Sequence, residues 1–460
     1  MPHVLVSAAH KSSGKTTLSI GLCAALNKQG LHVQPFKKGP DYIDPMWLAA
    51  ASGRDCHNLD FYTMHHDEIQ GVFNRYNTNA DISLIEGNKG LYDGLDLDGS
   101  NSNAALATLL GAPVILVLDA RGMTRGVAPL ILGYQAFDEN INIAGVILNK
   151  LGGSRHEAKL RNVIEHYTDV SVIGAVHQHP DMAIVERHLG LVPSNESEQA
   201  MQHINNISHH VEHSVNLEQL ISKAELAASP VKFTAPEKAP IADIRIAVAK
   251  DAAFGFYYSG DMIAMQDAGA EVVEFDTIND TALPENIDGL FIGGGFPESK
   301  LSELSQNTSM RESIRSAIEA GLPTYAECGG MMYLSRSIQW QDLQAEMVGV
   351  IPAKTMMHER PQGRGYVRIK ETKDFLWPTP EDKTSTQHQA HEFHYSSLDD
   401  FKVNSDYQFA YDVLRGHGID GKHDGIIYKN MLACYTHQRH VESNPWVKRF
   451  INFIRNTQNL

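Results

Sequence analysis

The apolar run Val4-Leu-Val-Ser7 leads directly into Ala9-His-Lys-Ser-Ser-Gly-Lys-Thr16, which opens the helical run Leu18-Ser-Ile-Gly-Leu-Cys-Ala-Ala-Leu26. A strand, a Ser/Gly turn and a helix in this order form a phosphate cradle. Backbone N–H groups and the helix N-terminus surround the anion, Lys15 neutralises the β/γ oxygens, and the Thr16 hydroxyl reaches Mg²⁺. Ser12, Ser13, Gly14, Lys15, Thr16 and Thr17 are therefore the expected ATP phosphate site. Ala9 stands where such loops usually begin with Gly, and Ala tolerates positive φ poorly. Three more continuous apolar runs follow, Ile82-Ser-Leu-Ile85, Val114-Ile-Leu-Val-Leu118 and Ala144-Gly-Val-Ile-Leu148, separated by helical stretches. Strands of this kind predict a parallel sheet covered on both faces.

Open α/β sheets place ligands at the carboxyl ends of their strands, so carboxylates there are candidates to serve the phosphates. Glu86 ends one apolar run, Asp41 and Asp44 lie in Lys37-Lys-Gly-Pro-Asp-Tyr-Ile-Asp44, and Asp93 lies in Gly90-Leu-Tyr-Asp-Gly94. Thr16, Glu86 and Asp41 are the expected Mg²⁺ partners. A single turn acid is more often merely solvated; the phosphate loop makes the set meaningful. Asp119 closes a further strand, and Asn149-Lys150 resembles the pair by which many phosphate-loop proteins contact the base.

The second half begins after Ala228-Ser-Pro-Val-Lys-Phe-Thr-Ala-Pro-Glu-Lys-Ala-Pro240, a stretch with three prolines and little periodicity that reads as a linker. Apolar runs then resume at Ile244-Arg-Ile-Ala-Val248, Glu271-Val-Val-Glu-Phe275, Gly289-Leu-Phe-Ile292 and Pro323-Thr-Tyr-Ala326. Cys328 follows the last of these and precedes two glycines and a helical run, so a sharp turn would expose its thiol at a helix N-terminus. Gly294 and Gly295, in Gly293-Gly-Gly-Phe-Pro-Glu298, could offer backbone N–H groups to an oxyanion. His437 or His440 would act as the base. Cys23 falls in an apolar helical pattern and reads as core; Cys56 and Cys434 lack a comparable turn and read as structural.

At about 100–200 residues per domain, 460 residues suggest two to four domains. The 39 Lys+Arg against 55 Asp+Glu give a formal charge of −16, which opposes broad attraction to nucleic acid or an anionic membrane. Four cysteines without a CxxC pair indicate neither a disulfide framework nor a cysteine-rich zinc site. The N-terminus is unlike a signal peptide, and no apolar run reaches the roughly 20 residues of a membrane span. The expected compartment is the cytoplasm. The 23 histidines show no ligand spacing and read as surface and core polar residues.

In order, Ser12-Ser-Gly-Lys-Thr-Thr17, Lys38-Gly-Pro-Asp-Tyr-Ile-Asp-Pro45, Glu86-Gly with Gly90-Leu-Tyr-Asp-Gly94, Phe256-Tyr-Tyr258, Gly293-Gly-Gly-Phe-Pro-Glu298, Glu327-Cys-Gly-Gly330, His391-Glu-Phe-His-Tyr-Ser396 and Tyr435-Thr-His437 closely resemble the cobyrinic acid a,c-diamide synthase family, over essentially the whole chain. The resemblance implies two α/β domains. One, at 1–215, is a phosphate-loop synthetase with a parallel sheet like that of dethiobiotin synthetase; a linker at 216–242 leads to the other, a class I glutamine amidotransferase at 243–460. It further implies a cobalamin-biosynthesis ligase in which Mg-ATP phosphorylates a side-chain carboxylate of a tetrapyrrole, while Cys328 and His437 release ammonia from L-glutamine along a guarded route. Asp41, Tyr42, Asp44 and Asp93 then belong to the tetrapyrrole and phosphoryl-transfer site, Asn149 to the nucleotide, and a homodimer is the family expectation. Cobyrinic or hydrogenobyrinic acid is the expected substrate. Sirohaem, suggested by the variant loop Ala8-Ala-His-Lys11, and nickel sirohydrochlorin are the alternatives. A partitioning-type ATPase switch is a different class, opposed by the charge and by the Cys–His half. Gln438 and Arg439 replace a hydrophobic residue and His seen in many members, the common His-x-Glu is absent, and no third acid can be assigned from sequence.

Overall fold

The first apolar run lies in a fully buried strand, β1 (His3–Ala8), near the middle of a seven-stranded sheet. The computed structural model describes residues 1–184, 186–187, 190–196, 199–228, 241–378 and 386–458. Its contacts divide the chain into two units, Met1–Pro236 and Glu237–Leu460.

In the first unit the sheet contains β1, β2 (Val33–Lys38), β3 (His57–Leu59), β4 (Ile82–Glu86), β5 (Val114–Asp119), β6 (Ile143–Leu151) and β7 (Val172–His177). Their order is β3-β2-β4-β1-β5-β6-β7, all neighbours parallel, as the continuous apolar runs require. Crossovers and flanking helices are α1 (Lys15–Lys28), α2 (Ile43–Ser52), α3 (His66–Asn77), α4 (Asn103–Leu110), α5 (Val127–Phe137), α6 (Ser154–Tyr167), α7 (Ala200–Ser214) and α8 (Leu217–Ala224). A short antiparallel pair, β8 (Glu186–Arg187) and β9 (Gly190–Leu191), precedes α7.

Helix α8 lies in the stretch 216–242 expected as linker. Leu217, Leu220 and Ala224 turn one face inward against β1 and β7, and the Asn216 side chain accepts from Gln219 N at 2.9 Å to cap the helix. These residues therefore belong to the first unit. The proline-bearing part of that stretch, 229–240, lies outside the described residues.

The second unit runs through β10 (Ile244–Ala249), β11 (Phe254–Phe256), α9 (Ser259–Asp267), β12 (Ala270–Phe275), β13 (Gly289–Ile292), β14 (Gly294–Gly295), α10 (Leu301–Gln306), α11 (Thr308–Glu319), β15 (Thr324–Glu327) and α12 (Gly329–Leu334). It continues through β16 (Ser335–Trp340), β17 (Leu343–Glu346), β18 (Ile351–Met357), β19 (Gly363–Glu371), β20 (Gln387–His394), β21 (Ser396–Asp399), β22 (Tyr407–Arg415), β23 (His423–Tyr428), β24 (Met431–Cys434) and α13 (Trp446–Gln458). Nine strands form one sheet, β12-β10-β13-β15-β24-β23-β22-β19-β20, parallel from β12 to β24 and antiparallel beyond. The parallel half is buried on both faces: Ile246 and Val248 pack with α13, while Ala247 and Ala249 pack with α11 and α12. The antiparallel half alternates buried and exposed side chains, as a sheet with one wet face does. A second sheet, β17-β16-β18-β21, completes the unit.

Candidate functional site

The phosphate loop connects β1 to α1. Positive φ falls on Ser12 (65°) and Gly14 (88°) but not on Ala9, so the residue that departs from the usual loop carries no strain. The Ala9 carbonyl instead accepts from the Tyr134 hydroxyl at 2.5 Å. Gly14 is tightly framed: a Cβ there would stand 2.3 Å from Asn149 Nδ2. At the end of β6, Asn149 Nδ2 donates to Ser13 O at 2.8 Å, and Lys150 Nζ donates to Ser12 O at 2.6 Å. The Asn149 side chain thus braces the loop, the position in which the structure places this expected nucleotide contact. Asp119 lies 3.4 Å from Lys150 and binds Arg121 at 2.7 Å; despite some burial, these cations hold its carboxyl down at about 2.

Register brings the charged groups together, because Glu86 on β4 pairs with Lys37 on β2 and with Val6 on β1. Thr16 Oγ1 donates to Glu86 Oε1 at 2.6 Å and lies 3.2 Å from Asp44 Oδ2. Lys37 Nζ lies 2.6 Å from Asp44 Oδ2, 3.1 Å from Glu86 Oε1 and 3.9 Å from Asp41 Oδ2. Burial works against the Lys37 charge, but Asp44, Glu86 and Asp41 outweigh it and hold the ammonium well above its ordinary range. Burial raises the Glu86 carboxyl, with Lys37 opposing, and burial beside Asp44 pushes Asp41 up to about 7. Lys15 is lowered by burial, and Lys38, which donates to Asn88 Oδ1 at 3.1 Å, is brought down to about 8 by burial.

Asp44, rather than Asp41, stands beside Thr16. Asp41 Oδ1 accepts from Ile43 N at 3.0 Å and Asp44 N at 3.1 Å, which is the work of a residue capping the start of α2, and the first helical turn then carries Asp44 inward. Asp93 closes its own turn by accepting from Gly90 N at 2.9 Å, and Tyr42 is buried at the N-cap of α2. Glu86 Oε2 is buried and has no hydrogen-bond partner, an anionic oxygen left open beside the Thr16 hydroxyl and Asp44. An all-oxygen donor set of this kind fits Mg²⁺. Sequence alone gives Lys37 no role; its signal there is a pair of lysines closing β2, and the fold buries both.

In the second unit, Cys328 sits between β15 and α12 with φ 47° and ψ −102°, a backbone state that costs a non-glycine residue about 1–3 kcal/mol. Its N–H donates to Cys434 O at 2.7 Å, anchoring the turn to β24. His437 follows β24 and pairs with β20: its N–H donates to His391 O at 2.8 Å, and the two imidazoles stack with centroids 4.9 Å apart. Glu327, immediately before Cys328, places Oε2 3.6 Å from His437 Nδ1, with both side chains 3% exposed. Burial alone would lower His437, but Cys328 and then Glu327 outweigh it and push it up to about 10. Burial, His437 and Arg439 hold His391 well below the usual range, and its Nδ1 lies 3.3 Å from the Tyr258 hydroxyl.

Gly294 and Gly295 form β14, paired with β11. A Cβ on Gly294 would stand 2.6 Å from His437 Cε1, and one on Gly329 would stand 3.0 Å from Gly295 N, so β14 borders both the histidine and the cysteine turn. His440, the other candidate base, is turned elsewhere: its N–H donates to Asp261 at 2.9 Å, and its Nδ1 accepts from Val447 N at 3.3 Å. Cys23, Cys56 and Cys434 are buried, and burial raises all three thiols.

No helix among the described residues is long and apolar enough to cross a membrane. Residues 5–192 match the CobQ/CobB/MinD/ParA nucleotide binding domain, and residues 245–445 match the CobB/CobQ-like glutamine amidotransferase domain. Relatives described as cobyrinate a,c-diamide synthase align along nearly the full chain. That of Magnetococcus marinus is 42% identical over 99% of this chain and 97% of its own, and that of Dehalococcoides mccartyi is 39% identical over 99% and 98%. The Methanosarcina acetivorans relative is 40% identical over 95% and 92%. A solved glutamine amidotransferase aligns with 47% of this chain and 99% of its own at 13% identity and a TM-score of 0.32. A phosphate-loop unit followed by a Cys–His unit, matched end to end at this identity, means that the chain belongs to the cobyrinate a,c-diamide synthase family of glutamine-dependent amidating ligases.

Proposed function

We propose that the protein converts the a and c side-chain carboxylates of a cobyrinate-type tetrapyrrole to amides, using ATP and glutamine. The reading rests above all on one chain holding both the Lys15–Thr16–Glu86–Asp44 cluster and the Cys328–His437–Glu327 cluster.

In the first unit, the loop N–H groups and Lys15 would bind the ATP phosphates. Thr16, Glu86 and Asp44 would hold Mg²⁺, which when bound neutralises phosphate charge. A substrate carboxylate oxygen attacks the γ-phosphorus, the bond to the β–γ bridging oxygen breaks, and ADP leaves an acyl phosphate. Lys37 is already committed to Asp44 and Glu86, so its role is to keep two carboxylates charged in a buried place. In the second unit, the Cys328 sulfur attacks the glutamine carboxamide carbon, with Gly294 and Gly295 bordering the developing oxyanion. His437 takes the thiol proton as the sulfur attacks and gives it to the departing nitrogen. Water then cleaves the thioester to glutamate and restores the thiol, while ammonia attacks the acyl phosphate carbon and expels phosphate.

Mass spectrometry of products tests the reading, after incubation with Mg-ATP, glutamine and, separately, cobyrinic acid, hydrogenobyrinic acid and sirohaem. Two amides on the corrinoid are expected. Amidation of sirohaem alone would replace the substrate and keep the chemistry, whereas no amide on any of the three would overturn the proposal. Cys328→Ala should lose glutamine-dependent product and retain product driven by ammonia.

A further inference from the structure

The catalytic histidine of a thiol amidotransferase needs a group that fixes its ring and balances its charge. In this chain the residue two positions after His437 is Arg439, a cation. We infer that Glu327, the residue immediately before the nucleophile, is the positioning acid of the glutaminase site, so that one turn carries both Cys328 and the carboxylate that orients its histidine. The inference rests on the glutaminase reading of Cys328 and His437.

The geometry gives this carboxylate two separate tasks. Oε2 faces His437 Nδ1 at 3.6 Å, an ion-pair distance in a place from which water is excluded. Oε1 is held in place from the other side: the Tyr325 hydroxyl donates to it at 2.5 Å and Gln438 N at 2.9 Å. The Gln438 side chain secures the arrangement further, since its Nε2 donates to the Tyr325 and Tyr411 hydroxyls at 2.9 and 3.0 Å and its Oε1 accepts from Asn444 Nδ2 at 3.0 Å. Gln438 therefore fixes Glu327 rather than merely replacing a hydrophobic neighbour of the histidine. A charged side chain this deeply buried is costly unless paired, and Glu327 supplies a carboxylate at ion-pair distance. Other groups near the imidazole are His391 of β20, which burial and His437 keep neutral, with Tyr258 beyond it, and Arg439 two positions on, whose guanidinium lies over the Tyr258 ring at 5.2 Å.

The test uses the full chain with glutamine or ammonia as nitrogen source. Glu327→Gln keeps the shape and an acceptor for Tyr325 and Gln438 but removes the charge. Glutamine-dependent product should fall on the order of 10²–10⁴-fold, with the ammonia-driven rate within about twofold of the unaltered protein. The upper pH limb of the glutamine-dependent rate, where His437 loses its proton, should move down in the variant, because Glu327 helps raise His437 above its ordinary value; a purely structural residue would not move it. Unaltered glutamine-dependent rate and pH limb in Glu327→Gln overturn the inference. Cys328→Ala, assayed alongside, separates the two readings, because retention of glutamine-dependent product there sinks the glutaminase assignment itself. Should Glu327→Gln lose the ammonia-driven rate as well, Glu327→Asp decides. That variant keeps the charge one methylene further from His437, so it should show a partial loss with the pH limb nearly in place; an unaltered rate overturns the inference.

Discussion

At the scale of single residues, Lys37 is the cation that Asp44, Glu86 and Asp41 share. It is 3% exposed and lies within ion-pair distance of Asp44, Glu86 and Asp41. Lys37→Met would keep most of the volume and strand the carboxylates, so about 3–5 kcal/mol of stability should be lost at pH 8. The loss should depend on pH. Burial raises the Glu86 carboxyl above its ordinary 4.5 while Lys37 opposes the rise, so removing Lys37 raises it further. An acid whose folded value exceeds its unfolded value costs stability as pH climbs past the unfolded value. The deficit should therefore be smaller at pH 5 than at pH 8 in urea melts, and an equal deficit at both would show that Lys37 does not neutralise this cluster. The residues here divide by how far their roles are local. Lys15, Thr16 and Cys328 stand in motifs whose chemistry depends on their own loop, and sequence is enough to find them. Asp44 and Glu327 are different, because which of two nearby acids faces Thr16 depends on the first turn of α2, and what Glu327 faces depends on a histidine 110 positions on (437 − 327).

At the scale of elements, the cysteine turn is set by how closely α12 approaches β13. A Cβ on Gly330 would stand 2.1 Å from Ile292 O, a backbone atom in the parallel sheet that cannot move aside. Gly330→Ala should push α12 away from the strand and destabilise the protein by about 1–3 kcal/mol. Glutamate release should fall further than stability alone explains, because α12 carries Cys328 at its N-cap. Normal glutamate release in a folded Gly330→Ala protein would mean that the helix can shift without disturbing the thiol. Elements differ in legibility for a related reason. Continuous apolar runs such as Val114–Leu118 announce buried parallel strands, and β5 spans Val114–Asp119. The antiparallel strands β19 and β20 carry polar residues on their open face, Arg364, Lys370 and Gln389 among them, so hydrophobicity marks them weakly. Helix α8 is weakly marked in the sequence because a proline-rich tract begins a few residues after it, and its eight residues hold only two full turns of pattern.

At the scale of the whole molecule, the chain joins two units whose proposed chemistries have no atoms in common except ammonia. Each unit has its own sheet, its own core and its own matching domain family. A change in one unit should therefore leave the other's chemistry measurable. Lys15→Ala is the sharpest case, since Lys15 is buried among Glu86, Asp44 and Asp93 and, on the proposed reading, faces the β/γ phosphates. Loss of such a charge from a site that stabilises a transferring phosphoryl group costs about 10²–10³-fold, so amide formation should fall by that factor with glutamine and with ammonia alike. Cys328 in the same variant should still take up one equivalent of iodoacetamide at the unaltered rate, because its turn is anchored to β24 and its histidine to β20. If amide formation survives, the phosphate loop does not serve the synthesis. If instead alkylation slows together with synthesis, the two units are energetically coupled, and the glutaminase responds to the state of the nucleotide site rather than working as a separate source of ammonia.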